Sequence, residues 1–258
     1  MVAASPYQCS MHVLFGSRSF SRSSCLQRCL SSSAKINHVH YSVNRNGFGI
    51  VAAMTKNQVI GVNGSLPWKN LTQDKNHFIN LTRNKVLIVG RKTFALEDPS
   101  LSHIRHARAC IVVSRTMNQE DLISLRNANN STNIETKVLL TRSFDEAVEL
   151  ANAEKHKRMI KSETDEHNVV NETLDCWVAG GEAIYRDALH HSDAVEVQLT
   201  HVDMMIDTNQ FREVAYFPVG DMNSDAWESS SCRDGELCEF KVWRKKLPPD
   251  FADTESGG

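Results

Sequence analysis

The chain has 258 residues, with 29 Lys and Arg against 31 Asp and Glu, for a formal net charge of −2. A hydrophobic share of 41% and a charged share of 23% fall near globular averages, so a sizeable core is feasible in one domain with extras or two small ones. The near-neutral balance argues against a global basic field for nucleic acid or an anionic membrane. No window approaches the roughly 20 apolar residues of a membrane-spanning helix. Seven cysteines (Cys9, Cys25, Cys29, Cys110, Cys176, Cys232 and Cys238) are widely spaced and form no CxxC pair. They read as reduced thiols of an intracellular protein, and no metal site is expected.

No Asp or Glu precedes Asp74. Residues 1–45 are rich in serine and carry Arg18, Arg22, Arg28, Lys35 and Arg45. That is the composition of an organelle transit peptide, because the potential across a mitochondrial inner membrane draws positive charge inward. Met11–Leu30 interleaves apolar residues with arginines, and Arg28-Cys29-Leu30-Ser31 resembles a mitochondrial processing site. Residues 1–46 are therefore expected to be a disordered, cleaved targeting segment. A mitochondrial address is expected, with plastid or cytoplasm as alternatives. The plainer alternative is a disordered tail, or an upstream start artefact with Met11 as the true start.

From residue 47 the pattern is that of a folded domain. Gly49–Met54 is a short apolar run, read as a buried strand. Asn63-Gly64 signals a turn. Thr72–Thr82 has helical character, with Thr72 as the expected N-cap and Asp74 in the first turn. Val86–Gly90 is a second buried strand, and Arg91 should open a helix directly after it. Ala109–Ser114 and Val138–Leu140 are further strands, and Ser143 should cap a helix over Phe144–Ala153. Residues 154–173 are polar and aperiodic, which predicts a surface insertion. Cys176–Ala179 is a strand broken by Gly180-Gly181, followed by a helix over Ala183–His190. Ala194–Thr200 and Phe240–Lys245 are late strands, expected to be antiparallel, and residues 247–258 read as a flexible tail. The expected fold is α/β: a mixed, mostly parallel sheet of about eight strands with helices on both faces.

In such a sheet, ligands bind beyond the C-terminal ends of the strands. Gly90-Arg91-Lys92-Thr93 places two cations and a hydroxyl at a helix start, where backbone N–H groups favour a phosphate. Gly180-Gly181-Glu182 lets backbone approach a ligand closely, and it is not the GxGxxG fingerprint. Ser114-Arg115 can hold another phosphate. Taken singly, each also reads as an ordinary turn or a solvated surface. Leu66-Pro67-Trp68 follows a glycine turn, and Asp74 comes six residues later, with Phe78 on the same helix face. A carboxylate among apolar and aromatic neighbours is desolvated, and its pKa rises.

Taken in order, these segments resemble the dihydrofolate reductases. The pieces are Ile50-Val51-Ala52-Ala53, Val59-Ile60-Gly61, Asn63–Trp68, Val89–Phe94, Ile111–Arg115, Gly180–Tyr185 and Leu199–Asp203. They span roughly residues 47–246, and seven motifs in family order are specific where any one is not. The resemblance implies NADPH-dependent reduction of 7,8-dihydrofolate to 5,6,7,8-tetrahydrofolate by hydride transfer to C6 with protonation at N5. It implies Asp74, Trp68 and Thr200 as the catalytic group, with Asp74 holding the pterin. Ala53, Phe78, Lys75, Arg108 and Thr200 join Asp74 around the substrate, and Arg108 would take the carboxylate of the glutamate tail. The NADPH site implied is Ala53, Ile60, Gly61, Gly90, Arg91, Lys92, Thr93, Ser114, Arg115, Gly180, Gly181, Glu182, Ala183, Ile184 and Tyr185. Gly180-Gly181 matches the family's cis glycine pair. Antifolates are the inhibitors implied, and a monomer that binds neither membrane nor nucleic acid is expected.

The chain departs from the family pattern in four places. Lys75 stands where an apolar residue faces the ligand, so it either covers the pterin with its stem or pairs with Asp74. Ser102–Ala107 replaces the usual proline-containing approach to Arg108. Ala179 is smaller than the usual aliphatic residue before the glycine pair. Glu182 adds negative charge near the expected pyrophosphate. Nothing after Lys245 resembles the thymidylate synthase that many protist and plant relatives carry fused, so a stand-alone reductase or a fragment is expected. Two other readings remain open: a pyrimidinone reductase of riboflavin synthesis on the same fold, and a degenerate paralogue that binds NADPH or RNA without turnover.

Overall fold

Alternation of apolar residues along each strand decides which face of the sheet it serves. In β1 (Phe48–Thr55), Phe48, Ile50, Ala52 and Met54 point one way, into the main core. Val51 points the other way, toward a smaller cluster with Leu87 and Trp177. A computed structural model describes residues 47–68, 71–95, 106–128, 136–162, 174–233 and 237–246. The segments expected to be a targeting peptide (1–46) and a tail (247–258) lie outside them.

The described elements include β2 (Val59–Val62), α1 (Thr72–Thr82), β3 (Val86–Gly90), α2 (Arg91–Phe94), β4 (Ala109–Val113) and α3 (Gln119–Ala128). They continue with β5 (Lys137–Thr141), α4 (Phe144–Ser162), β6 (Cys176–Val178), α5 (Glu182–His190) and β7 (Ala194–Val202). The last strands are β8 (Val214–Tyr216), β9 (Trp227–Arg233) and β10 (Cys238–Lys245). Eight strands form one sheet in the order β5-β4-β3-β6-β1-β7-β10-β9, and β2 pairs with β8 in a separate ribbon. Every pairing from β5 to β7 is parallel, while β10 runs antiparallel to both β7 and β9.

Helices cover both faces. Phe144, Ala147, Val148 and Ala151 of α4 and Ile184, Tyr185, Ala188 and Leu189 of α5 pack on the main core. Phe78 and Leu81 of α1 pack on the opposite face, as does Leu122 of α3 beside Cys110 and Val112. All five residues of β3 and of β4 are buried, as expected for strands covered on both sides. Gly49 makes room for an indole: a Cβ there would lie 2.5 Å from the Trp177 ring.

Two expectations need correction. The N-cap of α1 is Leu71 rather than Thr72, and no side chain caps the helix. The chain already turns helical at Thr72. Residues 154–162 are not loop but the continuation of α4; 163–173 lie outside the described residues. Lys155 explains the longer helix: it is buried, and its Nζ donates to the Gly47 carbonyl at 2.9 Å.

Candidate active site

Asp74 sits in the first turn of α1, on the face turned toward the sheet. Burial raises its pKa above the usual carboxylate range. The Thr200 hydroxyl and then the Trp68 indole, which hydrogen-bond toward the carboxylate, pull the value part of the way back. Thr200 is 1% exposed, and its Oγ1 has no well-aligned hydrogen-bond partner. The approach to Asp74 is therefore loose, as catalytic contacts often are before a ligand tightens them. Ala53 pairs with Thr200 in the β1–β7 register, so the two strands deliver both residues to one place. Trp68 is buried, and Phe78 packs beside Val51, Leu87 and Trp177.

Lys75 is exposed and is not among the groups that act on Asp74. Of the two roles read from the sequence, pairing with Asp74 is not realised. His77 was not anticipated. It lies three residues after Asp74 on the same helix face, with its ring 4.5 Å from that of Phe240. Burial lowers its pKa, opposed by a hydrogen bond with the Gln198 side chain. The i, i+3 spacing from Asp74 was the available signal.

The glycine pair and the cationic helix start meet. Gly90 N donates to Gly180 O at 2.7 Å, and Ala179 N to Ile88 O at 2.9 Å, which ties the ends of β3 and β6 together. The Gly180-Gly181 peptide is cis, and Gly180 has φ +111°. A Cβ at Gly180 would lie 3.1 Å from the Tyr185 hydroxyl and 3.3 Å from Thr93 Oγ1, so only glycine leaves this cleft open. The first turns of α2 and α5 both open here. Arg91, Lys92 and Ala183 are exposed, and Ile184 and Tyr185 are buried. The Tyr185 hydroxyl donates to Val51 O at 2.9 Å. Burial and the nearby Asp74 both push its pKa up.

Glu182 turns away from the cleft. Its Oε2 accepts from Tyr216 N at 3.0 Å and its Oε1 from Arg186 at 3.2 Å. This ties the β2–β8 ribbon, which carries Gly61, to α5. Ile60 is half-buried against the main core. Lys92 pairs with Glu213 just ahead of β8.

At the end of β4, Ser114 Oγ accepts from Met117 N at 2.9 Å and Thr116 N at 3.4 Å, while Arg115 is exposed. A further cation stands here. Arg142 follows β5 and donates to the carbonyls of Ser114 at 3.1 Å and Met117 at 2.6 Å. The sequence held the same signal as at Arg91 and Arg115, a cation just past a strand.

Arg108 is engaged in another way. It lies before β4, at the opposite rim of the sheet from Gly90 and Ser114. Its Nη2 and Nη1 reach the two carboxylate oxygens of Asp175 at 2.6 and 3.3 Å, and Nη1 also donates to Asn84 O at 2.8 Å. The fork expected to meet a glutamate tail is thus closed on a carboxylate of the chain itself. Of the altered approach to it, 102–105 lies outside the described residues.

A desolvated carboxylate on one side of β1 and a glycine-and-cation cleft at the strand ends thus share one α/β scaffold. A dihydrofolate reductase family model matches residues 48–146. The dihydrofolate reductase of Aedes albopictus is 23% identical over 207 residues, which is 77% of this chain and 97% of that protein. The Bos taurus dihydrofolate reductase is 24% identical over 175 residues, 65% of this chain and 76% of that protein. A solved dihydrofolate reductase from Enterococcus faecalis, complexed with NADP(H) and RAB-propyl, matches 79% of this chain and 98% of its own. Its TM-score is 0.51 at 17% identity, which speaks for the fold. Each of these findings is a likeness to dihydrofolate reductases, in sequence over part of the chain and in fold over most of it.

Proposed function

We propose that the protein reduces 7,8-dihydrofolate to 5,6,7,8-tetrahydrofolate with NADPH. The observation that carries this reading is the buried Asp74, its pKa raised, against Thr200 and Trp68. The cleft fits the cofactor: Gly180 leaves a side-chain-free surface beside Thr93 and Tyr185, and Arg91, Arg115 and Arg142 are exposed around it. When bound, NADPH supplies the hydride that goes to C6 of the substrate.

The chain's own residues do the rest. Asp74 holds the pterin ring through paired hydrogen bonds and fixes its face toward the cleft. Its raised pKa keeps a proton available at higher pH than an ordinary carboxyl does, and that proton reaches N5 through ordered water. Thr200 and Trp68 orient the carboxylate. Backbone groups of Ala53 and Ile60 position the nicotinamide carboxamide, with Tyr185 beside the ring. Arg91, Lys92, Thr93, Ser114 and Arg115 hold the phosphates.

A spectrophotometric assay of the full chain with dihydrofolate and NADPH tests the reading. Loss of nicotinamide absorbance that stops on adding methotrexate is the expected result. No turnover, with methotrexate failing to raise the melting temperature, overturns it. We keep residues 1–46 as a mitochondrial targeting segment: a fluorescent fusion of that segment should enter mitochondria, and cytosolic retention refutes it.

A further inference from the structure

Helix α1 carries Asp74 in its first turn and ends at Thr82, roughly 12 Å further along at the usual helical rise. Between these ends, Phe78 and Leu81 pack toward Val51, Leu87, Trp177 and Ala107. Arg108 follows Ala107, and its Nη1 donates to the carbonyl of Asn84, just past the end of α1, at 2.8 Å. A ligand held by its ring at Asp74 and extended along α1 therefore brings its far end to Arg108. That end is already occupied by charge. Arg108 Nη2 and Nη1 donate to the two oxygens of Asp175 at 2.6 and 3.3 Å. The two side chains are only 23% and 20% exposed, and Lys85 stands 3.8 Å from the same carboxylate.

We propose that Asp175 is a specificity-determining residue: by holding the Arg108 fork it removes the advantage of an acidic tail, so that, given the reductase reading, the protein takes reduced pterins with or without tail carboxylates. A tail carboxylate that reaches Arg108 has to take the place of Asp175. One charge-assisted pair is then exchanged for another, and little net affinity is gained. Asp175 also has the advantage of being tethered. It lies just ahead of β6, where its carbonyl accepts from Val86 N at 2.9 Å, and a group fixed on the same chain acts at high effective concentration. Binding then falls to the ring at Asp74 and to the apolar contacts along α1.

Steady-state kinetics of the full chain with NADPH tests this on two substrates. One is 7,8-dihydrofolate; the other is the methylamide of 7,8-dihydropteroate, which keeps both ring systems and has no carboxylate. KM for dihydrofolate should be no more than about threefold below that of the methylamide, less than one hydrogen bond to a charged group is worth. Asp175→Asn should lower KM for dihydrofolate about tenfold and leave KM for the methylamide in place, with kcat unchanged on both. A merely structural effect would move both substrates together. Adding Arg108→Leu to Asp175→Asn should remove the gain. Should Asp175→Asn fail to fold, the ratio of the two KM values in the unaltered chain still decides. A larger preference for dihydrofolate in the unaltered chain, or a folded Asp175→Asn with no tail-dependent gain, overturns the proposal and leaves the reductase reading standing. Turnover of neither substrate overturns the reductase reading and the proposal with it.

Discussion

At the rim where β1, β3, β4 and β6 begin, the chain pairs its charges with itself. Arg108 closes on Asp175 and on Asn84 O, Lys85 stands 3.8 Å from Asp175, and Lys155 donates to Gly47 O. Toward the other end of the strands the pattern reverses. Thr200 Oγ1 is buried without a good partner, Asp74 is held in a desolvated place, and Arg91 and Arg115 reach solvent. One rim is built for stability and the other keeps polar capacity in reserve. An unsatisfied group is costly in a folded chain, so the buried Thr200 hydroxyl left over beside a desolvated carboxylate is the physical mark of a ligand site.

The largest effect should come from Asp74→Asn. Turnover should fall about 100-fold or more, as for loss of a positioned acid, while NADPH binding measured by fluorescence is retained. The same change should raise the melting temperature at neutral pH. The folded pKa of Asp74 lies above its unfolded value, so the fold favours the protonated form. That contribution is full at low pH and is lost as pH rises through the raised pKa. Asn removes the loss, and the wild-type and variant melting temperatures should converge toward acid pH.

Next in size is Asp175→Asn. Arg108 would lose its bidentate partner, a charge-assisted contact worth about 1–3 kcal/mol, discounted because both side chains are partly exposed. Chemical denaturation measures this. If Arg108 also meets the substrate's acidic tail, the variant should lower KM for folates that carry glutamate and leave tail-less pterins unchanged. Unchanged stability would break the contrast between the rims. Thr200→Val should move the alkaline limb of the rate profile to higher pH, because the hydroxyl favours the ionised carboxylate. It should cost less than about 1 kcal/mol of stability, since that hydroxyl has no strong partner to lose. Glu213→Gln should do least: an exposed pair contributes about 0–1 kcal/mol. Freeing Lys92 should tighten NADPH modestly, an effect that added salt erases.

Much of this was legible in the sequence for identifiable reasons. The bounds of β3 were read to the residue, because a continuous apolar run and its flanking breaks define it; α1 was read over the same residues, with its N-cap one position late. The α3 helix was missed although its start is marked: Asn118 and Asp121 exchange side-chain-to-backbone hydrogen bonds at 2.8 and 2.9 Å. The reach of α4 past Ala153 was hidden because Glu154, Lys155 and Lys157 look like loop composition. Glu154 in fact pairs with Lys137 and Lys157, and Lys155 turns inward. The β2–β8 ribbon and the polar strand β9 carry too short or too weak an alternation to declare themselves. Partners remote in sequence, such as Asp175 for Arg108 and Glu213 for Lys92, left no local pattern at all. The motifs marked the cleft, but only the fold shows which of its charges are already taken.

The most direct test of the central claim is the pH dependence of kcat/KM for dihydrofolate. With Asp74 desolvated and protonation at N5 required, the rate should fall as pH rises through a pKa above the ordinary carboxylate range. In Asp74→Asn the profile should be low and flat over the same interval. A wild-type profile that shows no such limb, or an Asn variant that keeps it, would contradict the account.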